Sequence, residues 1–78
     1  MSYIKTVLPM KDYRLFIEME SGSTATVDLS CKLNTMKYAE LADEAFFKTA
    51  VTNGDYVIWG GGRLSLTVNE LMEVILLG

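Results

Sequence analysis

The chain has 78 residues with one cysteine and no histidine, and its formal net charge at neutral pH is −3. The single cysteine excludes an intramolecular disulfide, and the missing histidine excludes histidine-based triads and the commonest metal ligand. Seven basic residues scattered among ten acidic ones disfavour nucleic acid, because such binding depends on Lys and Arg contacts to phosphates. Half of the residues are hydrophobic, which is much apolar material for one small domain. We therefore expect a single domain over residues 1–78 that exposes apolar side chains at an interface.

The segments that would direct the chain to a membrane or to secretion are not recognisable. Residues 1–5 lack the apolar core of a signal peptide, and no apolar run approaches the roughly 20 residues that span a bilayer. A cytoplasmic protein without membrane contact is the expectation. The spacings of P-loops and dinucleotide sites are missing as well, so the sequence predicts a non-enzyme with no catalytic residue, cofactor or metal.

The first third of the chain has the patterning of three strands. Residues 3–9 are rich in β-branched and aromatic side chains, and Pro9 is expected to end this strand because proline cannot donate to a β-ladder. Residues 13–20 alternate, which is typical of a half-buried antiparallel strand. One face carries Tyr13, Leu15, Ile17 and Met19, and the other carries Arg14, Phe16, Glu18 and Glu20. A turn at Gly22 and a third strand over residues 24–29 complete a predicted meander.

The middle of the chain predicts short helical turns followed by a second run of strands. Residues 30–42 suggest two single turns, and Asp43 is placed to cap a short helix over residues 44–48. Asn53-Gly54 is the strongest hairpin signal in the chain and lies between strands predicted at residues 50–52 and 56–59. Three glycines then turn the chain into a last strand over residues 63–66.

The C-terminal segment predicts a capped helix. Thr67-Val68-Asn69-Glu70 matches a capping box, and one helical stripe is formed by Val68, Leu71, Met72 and Ile75. Because further apolar residues fall outside that stripe, the last turn is apolar nearly all round. It packs against either the domain itself or another chain. The candidate interface residues are Val74, Ile75, Leu76 and Leu77.

Four other groups of residues have a functional interpretation beside a structural one. Trp59, the glycine triplet and Arg63 form either an anion-binding loop or a plain turn, and the spacing favours the turn. The carboxylates Asp12, Glu18, Glu20 and Asp28 form either an acid–base or metal site or solvated surface. Cys31 is either a nucleophile or an inert thiol. The aromatic side chains, among them Tyr3, Tyr13, Phe16, Tyr56 and Trp59, form either a base-stacking platform or core.

The order of several short motifs carries a resemblance over almost the whole chain. The motifs are Ser21-Gly22, Val27-Asp28-Leu29, Leu41-Ala42-Asp43-Glu44-Ala45-Phe46, Val57-Ile58-Trp59 and the segment from Leu64 to Leu71. Their order resembles the bacterial family catalogued as domain of unknown function 2442. The family commonly has Pro-Asn-Gly after the Trp, where this chain has Gly60-Gly61-Gly62, and often an acid where this chain has Arg63.

The resemblance implies a compact α+β domain and a partner protein encoded by a neighbouring gene, in an arrangement like a toxin–antitoxin pair. With the residue patterns, it predicts a mostly antiparallel sheet of five to six strands packed by a C-terminal helix and a short middle helix. The leading hypothesis is a non-enzymatic protein-interaction or regulatory module, antitoxin-like and homodimeric. The alternative is a nucleic-acid-binding regulator that uses exposed aromatic side chains with Lys11, Arg14 and Arg63.

Overall fold

The computed structural model describes the backbone of residues 3–77 and the side chains of residues 3–75. Within this range, the predicted α+β class is confirmed. The strands are β1 (Ile4–Met10), β2 (Arg14–Met19), β3 (Thr24–Asp28), β4 (Val51–Thr52), β5 (Tyr56–Trp59) and β6 (Leu64–Thr67). The helices are α1 (Glu44–Phe47) and α2 (Val68–Leu77), and single 3-10 turns occur at Lys11–Tyr13, Ser30–Lys32 and Ala39–Ala42.

The strands form two antiparallel sheets, so the prediction of one sheet is wrong. The first sheet has the order β1-β2-β3 and the second has the order β4-β5-β6. At their junction, the Ile4 N–H donates to the Gly54 carbonyl at 2.8 Å. A continuous ladder between β1 and β4 does not form, since β4 has only two residues and Pro9 of β1 offers no N–H.

Pro9 lies inside β1 and does not end it, contrary to the prediction. The Leu29 N–H donates to the Tyr13 carbonyl at 2.9 Å, which shows which backbone groups of β2 point toward β3. The backbone N–H and C=O groups of odd-numbered β2 residues point toward β3, and those of even-numbered residues point toward β1. Pro9 is opposite Leu15, where the backbone of β1 points away from β2. The ladder therefore needs no N–H at this position.

The core lies between the inner faces of the two sheets and the helices. The predicted alternation of β2 is confirmed, because Leu15 and Ile17 are buried. Side chains from both sheets, the middle segment and α2 join one cluster, including Leu15, Val27, Leu29, Leu41, Phe47, Val57, Trp59, Leu66 and Leu71. Burying them supplies most of the stabilisation, at about 25 cal/mol for each Å² of apolar surface removed from water.

Tyr13 belongs to the turn before β2 and not to the strand. Its φ of +60° takes it out of the extended conformation, and β2 starts one residue later at Arg14. The ring packs edge-on against Phe47 with centroids 5.5 Å apart, and the hydroxyl donates to the Ala42 carbonyl at 2.6 Å. Tyr13 thus ties the first sheet to the middle segment.

The predicted capping box at the start of α2 is confirmed. The Glu70 N–H donates to the Thr67 hydroxyl at 3.1 Å, and the Thr67 N–H donates to a Glu70 carboxylate oxygen at 3.0 Å. The Lys37 ammonium group donates to the second oxygen of the same carboxylate. Glu70 therefore joins the helix start to the middle segment.

The stabilisation that Glu70 provides is expected to disappear in acid. Hydrogen bonds from the Lys37 ammonium group and the Thr67 N–H hold the pKa of the Glu70 carboxyl below its ordinary value of 4.5. A carboxyl whose pKa is lowered by folding stabilises the protein above its unfolded pKa, and that stabilisation is lost as pH falls through the folded pKa. We expect the Tm of the wild-type protein to fall more steeply below pH 4.5 than that of Glu70→Gln. Parallel Tm curves for the two proteins, measured by circular dichroism, would contradict this.

Candidate functional site

A mostly apolar concave surface lies between α2 and the turn end of the β2–β3 hairpin. This helix groove has a volume of about 410 Å³. It is lined by Ile4, Ile17, Met19, Ser21, Ser23, Thr24, Ala25, Val68, Leu71, Met72 and Ile75. The space stays open because the hairpin contributes small side chains at this end, Ala25 among them, while α2 turns Leu71 and Val74 into the core.

Two large apolar side chains of the helix groove remain in contact with water. Met72 is 47% exposed and Ile75 is 44% exposed. Within the described part of the chain, the lining of the helix groove includes no charged residue. The groove is thus a concave apolar surface with two half-exposed side chains on its helix side.

The candidate interface residues at the C-terminus occupy different environments. Val74 is 5% exposed and belongs to the core, so a partner cannot reach it in the folded chain. Ile75 lies in the helix groove. The side chains of Leu76 and Leu77 lie outside the described range. Of the four, Ile75 is therefore the residue that the structure places at an accessible apolar surface.

The loop candidate, Trp59 with Arg63, belongs to a turn whose groups contact the rest of the protein. Trp59 is fully buried, and its ring lies 6.4 Å from that of Phe47. The Gly60 N–H donates to the Thr49 hydroxyl at 2.8 Å, which binds the start of the loop to the segment after α1. Arg63 pairs with Glu40 at 2.7 Å, and its guanidinium lies 5.9 Å from the centre of the Phe46 ring. Both members of the candidate are thus engaged with the protein itself.

The other chemical groups singled out in the sequence remain dispersed. Among the described residues, no group of three His, Cys, Asp or Glu side chains is close enough to hold a metal ion. Asp28 accepts hydrogen bonds from the hydroxyl and the N–H of Ser30, which lower the pKa of its carboxyl. Cys31 is exposed, with its Sγ 3.9 Å from the Asp28 carbonyl oxygen. These contacts are those of a surface turn.

A second concavity of about 420 Å³ lies between residues 9–13 and residues 44–48. Its wall is more polar than that of the helix groove, because it includes Lys11, Asp12, Glu44 and Lys48. Opposite charges there are solvated and interspersed, so no single ligand charge is favoured.

Within the described range, no helix is long and apolar enough to cross a membrane.

Sequence reasoning missed the sheet side of the helix groove. Ile17 and Met19 were correctly placed on the apolar face of β2, but the pattern could not show that this face is left partly uncovered at its end. Met72 was assigned to the helical stripe and was not recognised as exposed. The signal for the groove in the sequence was the run of short side chains around Gly22, because short side chains leave space beside a helix.

Comparisons with family models, curated proteins and solved structures give no match for this chain. The resemblance to domain of unknown function 2442 therefore rests on motif order alone and stays a prediction.

Proposed function

We propose that the protein is a non-enzymatic interaction module that binds an apolar segment of a partner protein in the helix groove. The observation that carries the proposal is the exposure of Met72 and Ile75 within one concave apolar surface of about 410 Å³. Burying the exposed halves of two such side chains contributes about 1 kcal/mol each. A partner that covers the groove thus recovers stabilisation that the isolated chain forgoes.

The charge of the whole protein bears on the chemistry of the partner segment. Its net charge is −3. Opposite net charges on two proteins raise their association rate. The segment that fits is therefore apolar on the side facing the groove and carries Lys or Arg beside it.

The finer form of the proposal is an antitoxin-like or regulatory member of a two-protein bacterial pair. Its support is the order of the short motifs in the chain, which resembles that of domain of unknown function 2442. Members of that family are encoded beside a second short protein. In this form, the natural occupant of the groove is a segment of the protein encoded by the adjacent gene.

A charge placed in the groove is expected to abolish capture of that partner. When the two adjacent genes are co-expressed, Met72→Asp and Ile75→Asp should each weaken complex formation at least about tenfold, because a carboxylate would be buried against apolar side chains. Asn69→Asp is the matched control, since Asn69 is exposed on the same helix but does not line the groove. Isothermal titration of the purified proteins gives the affinities. Equal binding by all three variants would overturn the groove as the site, and the same holds if no complex forms.

The nucleic-acid alternative has no specific structural observation in its favour. Trp59 is fully buried and cannot stack on a base, and Arg63 is paired with Glu40. Tyr3 and Tyr56 are the exposed tyrosines of the described range. A gel shift that weakens steeply with added salt would support this function over protein binding.

A further inference from the structure

The first sheet has a second face that points away from the core. Residues opposite each other in the register share a face, which gives three rows across β1, β2 and β3. We call these nine residues the outer face: Thr6, Glu18 and Thr24; Leu8, Phe16 and Thr26; Met10, Arg14 and Asp28. Leu8 is 53% exposed and Met10 is 41% exposed, so water reaches this face.

The middle of the outer face is apolar. Leu8 and Phe16 are direct cross-strand partners, and Met10 follows Leu8 two positions along the same face of β1. Phe16 is half-buried but does not belong to the core cluster, which lies on the other side of the sheet. Its partial burial is therefore due to its neighbours on the outer face, where it forms a low apolar ridge.

Opposite charges flank this ridge at equal distances. Arg14 and Glu18 lie two residues before and two residues after Phe16 on the same face of β2. At the rise of an extended strand, their Cα atoms are about 13 Å apart, which is too far for them to pair with each other. Neither forms an ion pair with another described residue. Asp28, opposite Arg14, is engaged by the Ser30 hydroxyl and N–H.

We propose that the outer face binds the outer face of a second copy of this chain. The two-fold axis lies in the plane between the two sheets, runs across the strands and is level with Phe16. The strands of the two copies are then antiparallel. Each Phe16 then lies over its equivalent, each Leu8 does the same, and Arg14 of each copy faces Glu18 of the other. Two sheets packed face to face in this way stand about 10 Å apart, which suits interdigitated side chains.

The size of the outer face sets the strength of the dimer. Three strands and five residues along each strand give a footprint of roughly 15 by 17 Å. A standard stable interface buries about 800 Å² on each partner, so this dimer is weak and forms at high protein concentration. On β2, the helix groove is lined by Ile17 and Met19, which lie on the other face of the sheet. The two surfaces adjoin at the β3 edge, where Thr24 lines the groove and Ile75 of the groove shares a concavity with Thr26 and Asp28.

Charge reversal tests the pairing of Arg14 with Glu18 directly. In Arg14→Glu or Glu18→Arg, both cross-copy contacts bring like charges together, and self-association should weaken about tenfold. An equimolar mixture of the two variants should associate again, because each supplies the charge that the other lacks. The double variant should associate like the wild-type protein. Arg63→Glu, at an exposed position in the turn between β5 and β6 of the second sheet, makes the same change in net charge as Arg14→Glu and should have no effect on self-association.

The measurements are sedimentation velocity and amide chemical shifts at protein concentrations from about 0.05 to 1 mM, a range chosen for a weak interface. The expected result is a concentration-dependent shift confined to β1, β2 and β3. Leu8→Thr removes an exposed apolar side chain and introduces a β-branched residue that strands favour. It should therefore reduce association without the loss of stability that a charge reversal can cause. A wild-type monomer across this range overturns the proposal, as does a mixture of the two reversed variants that fails to associate.

Discussion

Replacement of Trp59 by alanine is expected to lower the free energy of unfolding by about 3–5 kcal/mol. The indole is fully buried at the end of β5 and packs beside Phe47, so its loss leaves a large cavity at the centre of the core. A 78-residue domain has a total stability of roughly 4–12 kcal/mol, so the variant loses a large share of it. Urea denaturation followed by far-ultraviolet circular dichroism measures the loss without relying on tryptophan fluorescence.

Trp59→Phe is the informative comparison. The Trp59 Nε1 is buried and has no hydrogen-bond acceptor among the described residues. An unpaired buried donor costs about 1–3 kcal/mol, and phenylalanine removes that cost while retaining most of the aromatic packing. We expect Trp59→Phe to change stability by less than about 1.5 kcal/mol, in either direction. A loss as large as that of the alanine variant would show that Nε1 has a partner in solution.

Gly60→Ala is expected to destabilise the fold by about 2–4 kcal/mol. Gly60 has a φ of +61°, and a Cβ added there would overlap Cε1 of Phe46. The ring would have to move, together with the Arg63 guanidinium beside it. The substitution therefore combines the strain of a left-handed backbone with a steric overlap at the loop base.

Gly61→Ala separates these two effects. Its φ is +68°, and nothing lies within 4 Å of an added Cβ. Backbone strain alone should cost this variant about 1–2 kcal/mol. The difference in unfolding free energy between the two alanine variants then measures the overlap with Phe46. If both variants lose the same stability, the ring is free to move away and the loop base is looser than its geometry indicates.

The local features of the fold could be predicted because each depends on residues close together in the chain. The capping box needs only Thr67 and Glu70, and the alternation of β2 needs only its own side chains. Asp43 was identified as the cap of α1 for the same reason, and its carboxylate accepts from the Ala45 N–H at 3.0 Å. A short-range pattern contains all the information that such contacts require.

The arrangement of these elements could not be predicted in the same way. The split into two sheets depends on how β4 meets β1, and these strands are more than 40 residues apart. The burial of Val74 depends on which side of α2 reaches the core, whereas a wholly apolar last turn permits several orientations. The helix groove follows from that orientation and from the small side chains of the hairpin. The signal for the outer face in the sequence was Phe16, an apolar residue on the otherwise polar face of β2.

The division of the strands into two meanders has a consequence for the order of folding. Within each sheet, every strand pairs only with strands next to it in the chain, so its hairpins close over short loops. The hydrogen bond from Ile4 to Gly54 closes a loop of 50 residues, and the packing of α2 against β3 closes one of similar length. Because the entropic cost of closure rises with loop length, we expect the two meanders to form early and their docking to limit the folding rate. The junction between β1 and β4 would then be both the last contact made and the first one broken.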